Sequence, residues 1–144
     1  VYDGTITLFN FHEGTGKWYL SVISGVDIGG AQASSSSKQG KVNGDSVVAL
    51  IPCKPGKVIP TGAGEKSYTA PKEYAACSDP ENRITFKPET DFIYEGAWDD
   101  LTPISDDVYD SGLYHEMNDE MDGVHIIASA EFFGLIPHFE IGGR

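Results

Sequence analysis

His115 and Asp119 stand four residues apart in "YHEMNDEMDG". On a helix that spacing turns both side chains to one face, where they would offer two ligands to a metal ion. No third ligand follows at a matching interval, so the pair reads as a solvated helix face. His125 and His138 fall on two strand-like runs near the end of the chain. An antiparallel pairing would bring their imidazoles together, with Glu131 or backbone groups as alternative partners, and a structural role is expected. Asp99, Asp100, Asp106, Asp107 and Asp110 cluster without the spacing or the glycine of a calcium loop. They read as a solvated face, with a salt-dependent contact to a basic partner as the alternative. "TGAGEKS" (61–67) has the flavour of a phosphate loop without its spacing, its preceding strand or its following helix. Neither Cys53 nor Cys77 sits in an activating pattern, and no serine is marked by a nucleophile elbow. The residue chemistry therefore points away from an enzyme and towards a binding or structural protein, with no cofactor and no metal.

The elements that position these residues are mostly strands. In "TITLFNF" (5–11), Ile6 and Leu8 alternate with Thr5 and Thr7, the period of a half-buried strand. Phe9 and Phe11 are apolar on the opposite face, which implies a cover on that side too. "HEGTGK" is a turn, and "WYLSVISGVDI" (18–28) completes a hairpin. Residues 29–45, "GGAQASSSSKQGKVNGD", are too polar to bury a face and predict a long mobile loop. "SVVALIP" (46–52) predicts a buried strand ended by proline. Residues 53–82, with Pro55, Pro60 and Pro71 among their breakers, predict a second long excursion with a short extended piece near Tyr68. "RITFK" (83–87) and "DFIYEG" (91–96) flank "PET" as a hairpin would. A helix is expected at about 106–121, because Tyr109, Leu113, Met117 and Met121 form one apolar stripe. Ser105 or Ser111 would cap its start and Gly123 its end. "VHIIASAEF" and "IPHFEIGG" predict two closing strands joined by a turn at Gly134, with Phe139 and Ile141 on one face and His138 and Glu140 on the other.

About seven strands and one short helix, punctuated by glycine and proline, imply a mainly β fold: a small antiparallel β-barrel or sandwich with long loops, in one domain over 1–144. The length of 144 residues and a 40% hydrophobic content suffice for a self-sufficient core. The net charge of −12 argues against a grip on nucleic-acid backbone, which needs a basic stripe. Acidity serves solubility, or gives a surface that repels passing DNA. Two cysteines make no secreted disulfide framework, and free thiols are expected. The opening "VYDGTITLFN" shows no signal peptide, and no run approaches the 18 apolar residues of a membrane helix.

The ending "VHIIASAEFFGLIPHFEIGGR" resembles that of minor capsid or head–tail connector proteins of long-tailed bacteriophages. The pattern is His138, Phe139, Glu140, Ile141, Gly142, Gly143, Arg144. "GTITLFN" with "WYLSVISGVDI" resembles their opening hairpin. "ITFKPETDFIYEGAW" and "SGLYHEMNDEMDGVHIIAS" are similar to phage proteins of this size. The resemblance covers about two-thirds of the chain and rests on the order of the blocks. It implies a head-closure (stopper) protein: a small barrel with no catalytic residues, in a homo-oligomeric ring of six or twelve copies. The ring would lie in the virion neck, assembled in the host cytoplasm. Its partners would be portal or adaptor proteins and tail-completion or tail-tube proteins. Packaged DNA would pass through without sequence-specific binding, and no membrane is involved. Candidate subunit or partner contacts are Trp98, Asp99, Asp100, His138, Phe139 and Arg144. Ser34, Ser35, Ser36, Ser37, Lys38 and Lys41 would belong to a loop facing the lumen or ordered by assembly. A tail-completion, tail-terminator or minor capsid protein is the alternative within the class. A β-sandwich ligand-binding module with Trp98, Tyr94 and Trp18 as an aromatic platform is the alternative outside it.

Overall fold

Six strands close into an antiparallel barrel. The computed structural model describes residues 2–29 and 46–144. Strands β1 (Gly4–His12) and β2 (Lys17–Gly29) form the opening hairpin, in register from Thr5↔Ser24 to His12↔Lys17. β3 (Val47–Pro52), β7 (Phe92–Glu95), β9 (Val124–Phe133) and β10 (His138–Gly143) supply the remaining staves. The order round the barrel is β1-β7-β9-β10-β3-β2, and the β1–β2 pairing closes it. The short β8 (Ile104–Ser105) adds outside, against the start of β2.

Closure depends on β2 serving two neighbours. Its first part pairs with β1, and Asp27, Ile28 and Gly29 pair with β3. The β1–β2 register slips between Gly4↔Val26 and Thr5↔Ser24, and Gly25 is the extra residue there with φ +72°, a conformation that side chains rarely adopt. The extra residue shifts the alternation by one, so that Ile23 and Val26 both turn inward. A similar slip lies between Gly142 and Gly143 of β10. A Cβ on Gly142 would meet only the Ser129 hydroxyl, which can turn away, whereas one on Gly143 would stand 3.1 Å from His125 Cβ, 3.2 Å from Val47 Cγ2 and 3.3 Å from the Ile126 carbonyl oxygen. The second glycine of the "GG" before Arg144 is therefore the tightly packed one.

Two apolar clusters follow from the alternation of β1. Ile6 and Leu8 point inward to join Ile23, Ile51, Ile93 and Ile141. Phe9 points outward, yet it is fully buried, because Phe92 stacks on it at 4.5 Å and Trp98 meets its edge at 5.7 Å. Leu113 and Met117 of the helix α2 (Leu113–Glu120) complete this outer cover. The inner cluster is extended by a small sheet of β4 (Val58–Thr61), β5 (Gly64–Tyr68) and β6 (Arg83–Ile84), which contributes Ile59 and Ile84. The helix α1 (Pro71–Ala76) links β5 to β6 and buries Tyr74.

The barrel alternative is the one observed, and several local expectations are corrected. "RITFK" and "DFIYEG" do not form a hairpin. β6 pairs in parallel with β5, while β7 pairs with β1 and β9. The backbone of Thr85 is taken by the side chain of Asn10, which leaves no ladder for β7 there. The helix is shorter than 106–121: residues Asp106–Val108 form a separate 3-10 turn. Neither Ser105 nor Ser111 caps α2; its first N–H, that of Leu113, donates to Asp106 Oδ1 at 2.8 Å. Gly123 has a left-handed φ of +79°, but it belongs to the turn into β9, and Met121 ends the helix. The excursion over 53–82 holds β4, β5 and α1 rather than one extended piece. The loop expected at 29–45 lies, beyond Gly29, outside the described residues. Among the described residues no helix is long and apolar enough to cross a membrane.

Candidate functional site

The outer cluster opens into a cavity of about 330 Å³ beside α2. Phe11, Trp18, Tyr114 and Ile126 form its apolar lining, and Glu89 and Asp106 its acidic side. Asp106 builds the wall. Its Oδ1 accepts the Trp18 indole N–H at 2.7 Å and the Leu113 backbone N–H at 2.8 Å, so one carboxylate oxygen ties β2 to the start of α2. Burial pushes the Tyr114 hydroxyl above its ordinary pKa, and the Arg144 cation opposes that rise. Arg144 donates to Glu89 across the mouth, and this bond holds its own pKa up.

A different surface lies at the far end of the β9–β10 hairpin. Leu135 is 98% exposed and Ile136 76%, with Phe133 beside them. Phe133 stacks in parallel on His138, with ring centroids 5.1 Å apart. Behind the tip, Lys57 Nζ sits 4.7 Å over the Phe132 ring. Exposed aliphatic side chains are ordinary singly, whereas here three large apolar side chains share one turn.

The third feature is a buried polar knot. Asp91 is fully buried, and its carboxylate accepts the Phe11 and Lys87 backbone N–H groups and the Asn10 side-chain amide, all at 2.9–3.0 Å. Burial pushes its carboxyl up to about 7, against those three donors. The knot fixes the 87–91 turn against β1 and so sets Glu89 at the cavity mouth.

One family model matches residues 1–144, the whole chain, and its description is a family of unknown function, DUF6751. The chain belongs to DUF6751. No curated protein and no solved structure matches it.

In this DUF6751 chain the residues singled out from sequence do not form one site. Trp98 is half-buried against Phe9 and Tyr94, and its backbone N–H donates to Thr7 Oγ1. Asp99 and Asp100 are exposed beside it, and the bonds from Thr102 hold the Asp100 carboxyl below its usual range. Phe139 is 3% exposed, so it belongs to the inner core and is not a partner contact. His138 and Arg144 sit at opposite ends of β10, roughly 20 Å apart at strand rise. His125 bonds Glu95 at 2.6 Å and His138 bonds the Ile136 carbonyl at 2.7 Å, so the two imidazoles do not meet. Trp18, at 5% exposure, is a core side chain packed on Phe92, not part of a surface platform with Tyr94 and Trp98. His115 and Asp119 are both exposed. No group of three or more His, Cys, Asp or Glu among the described residues lies close enough to hold a metal ion. Cys53 and Cys77 are free thiols. Ser34, Ser35, Ser36, Ser37, Lys38 and Lys41 lie outside the described residues. Sequence reasoning missed the tip, although "GLIP" places two large aliphatics inside a turn, where polar residues are the rule.

Proposed function

We propose that this chain is a structural protein of the neck of a long-tailed phage, a head-closure ring subunit that joins portal or adaptor to tail and helps retain packaged DNA. The observation that carries the reading is the closed six-stranded barrel, because the blocks that carry the phage resemblance supply its staves: β1 and β2, β7, and the β9–β10 hairpin. The exposed apolar tip supports it, since a ring subunit must offer a surface to its neighbours. The net charge of −12 suits a channel that carries DNA without gripping it. The role needs no cofactor and no catalytic residue.

The test is a phage that encodes the protein. Mass spectrometry and labelling should find it at the head–tail junction of the virion. A knockout should give heads that fill and then leak DNA, beside unattached tails. Its absence from purified virions overturns the neck reading. Heads that stay filled beside tails of aberrant length favour the tail-completion or terminator reading. The aromatic cavity favours a second reading, a ligand-binding module. Saturable binding of a glycan or small molecule by the isolated monomer would support that instead.

A further inference from the structure

We infer that the corner between Tyr94 and Trp98, bordered by Asp99 and Asp100, is a docking site for an arginine side chain of a partner protein. With Ala97 these residues line a cavity of about 350 Å³ that shares no residue with the one beside α2. The two rings stand at 87° to each other with centroids 5.3 Å apart, so they form adjacent walls. Both are half-buried, whereas Ala97, Asp99 and Asp100 are exposed. The corner is therefore aromatic at its back and acidic at its open side.

The walls are set before any partner arrives. Thr7, buried on β1, donates its hydroxyl to the Gly96 carbonyl at 2.8 Å and accepts the Trp98 backbone N–H at 2.9 Å. Phe9 packs on the Trp98 ring, with centroids 5.7 Å apart. Gly96, at φ +140°, lets the chain pass close to the Tyr94 ring, where a Cβ would stand 3.0 Å from Tyr94 Cε2. Rings fixed in this way lose little freedom when a ligand settles between them.

Charge selects the occupant. Residues 88–143 hold 14 of the chain's 22 acidic residues and no lysine or arginine. Acidity alone defines no site, and in the cavity beside α2 the carboxylates are engaged, Glu89 by Arg144 and Asp106 by the Trp18 and Leu113 N–H groups. At the corner they are open. Asp99 has no hydrogen bond or ion pair among the described residues, and Asp100 is held only by Thr102, which keeps its carboxyl ionised. A guanidinium suits such a place, because it lies against aromatic rings while its planar fork donates to carboxylates, and it is less strongly hydrated than an ammonium. The Trp98 indole N–H and the Tyr94 hydroxyl also lack partners among the described residues, which leaves two donors for the carbonyls of a peptide. The arginine must come from a different protein. This chain has two arginines, and both are engaged: Arg83 with Asp79 and Thr69, and Arg144 with Glu89. The inference stands whether or not the neck reading does.

The experiment titrates the isotope-labelled full chain with the peptide acetyl-Gly-Arg-Gly-amide and follows the backbone and indole N–H signals by NMR. Saturable shifts confined to residues 94–100 are expected, with Kd on the order of 1 mM for a lone arginine. Trp98→Leu, which keeps an apolar contact for Phe9, should weaken binding about tenfold. Should that variant fail to fold, Asp99→Asn with Asp100→Asn, at two exposed positions, repeats the test. It should weaken binding about tenfold in dilute buffer and much less in high salt. The same peptide with citrulline, isosteric and uncharged, should not bind. No saturation up to about 20 mM overturns the inference. So does equal binding of the citrulline peptide. An equal loss in Asp119→Asn with Glu120→Gln, which removes the same charge outside the cavity, would reduce the effect to net acidity and overturn it. Loss of binding in Ser111→Trp, at the rim of the cavity beside α2, would place the peptide there instead. Tighter binding of tetramethylammonium than of the arginine peptide would assign the corner to quaternary ammonium ligands and likewise overturn the inference.

Discussion

Asp106→Ala should loosen the wall of the cavity more than its half-exposed position suggests. Two donors converge on Asp106 Oδ1. The Trp18 indole N–H belongs to a residue 5% exposed, so losing its acceptor leaves a buried donor unpaired, at about 1–3 kcal/mol. The Leu113 N–H opens a helix of eight residues and can turn partly to water, at about 0.5–1.5 kcal/mol. Together the loss is about 2–4 kcal/mol, which for a chain of this size lowers Tm by roughly 6–12 °C. Asp106→Asn provides the contrast. Both bonds use one oxygen, and an amide oxygen can accept both, so this variant should cost about 1 kcal/mol or less. Urea unfolding followed by tryptophan fluorescence measures both, and Trp18 emission should shift to the red in the alanine variant alone. An asparagine variant as unstable as the alanine one would refute the geometric account and assign the effect to charge. An alanine variant within 0.5 kcal/mol of wild type, roughly the scatter of neutral surface changes, would refute the tie between β2 and α2 altogether.

Two further outcomes concern buried ionisable groups. Asp91 titrates near 7 in the folded chain, against about 3.9 when unfolded, so the folded state holds a proton the unfolded state has lost between those values. Its contribution to stability is full below about pH 4 and declines as pH rises through about 7, on the order of 4 kcal/mol. Unfolding midpoints from pH 4 to 8 should show this decline in wild type and lose it in Asp91→Asn; equal slopes would refute it. Lys66 is 7% exposed, its ammonium bonds Ser21 Oγ at 2.8 Å, and burial lowers its pKa. Lys66→Met should raise stability at pH 7 by about 1–2 kcal/mol, because it removes a desolvated charge at similar volume. A lowered midpoint would show instead that the bond to Ser21 outweighs the desolvation.

Local alternation made much of the barrel legible. The two faces of "TITLFNF" announced both the inner cluster and an outer cover, and Phe9 is buried as that required. Strand partners were not legible in the same way, since pairing is a property of distant segments. "RITFK" and "DFIYEG" look like a hairpin, yet Arg83 and Ile84 are taken in parallel by β5, a strand within an excursion that read as mostly irregular. Asp91 reads as a turn residue. Its burial becomes visible only when Asn10, far away in sequence, donates to it. The cavity was hidden for the same reason, as its lining comes from β1, β2, the 87–91 turn, α2 and β9. Trp18 looked like a surface aromatic because the sequence does not show that α2 and residues 97–104 fold over it.

The place of β10 has a consequence for how the chain comes together during synthesis. It lies between β9 and β3, so no other strand can join those two. Until residues 138–143 leave the ribosome, everything before them is an open sheet with two raw edges. β10 must then seek β3, nearly ninety positions upstream. Pairings over such separations are slow, because a long loop must close before any bond rewards it. The nascent chain therefore passes through a stage with exposed edges, when neighbouring polypeptides compete for them. A chaperone that shields those edges should raise the yield of folded protein.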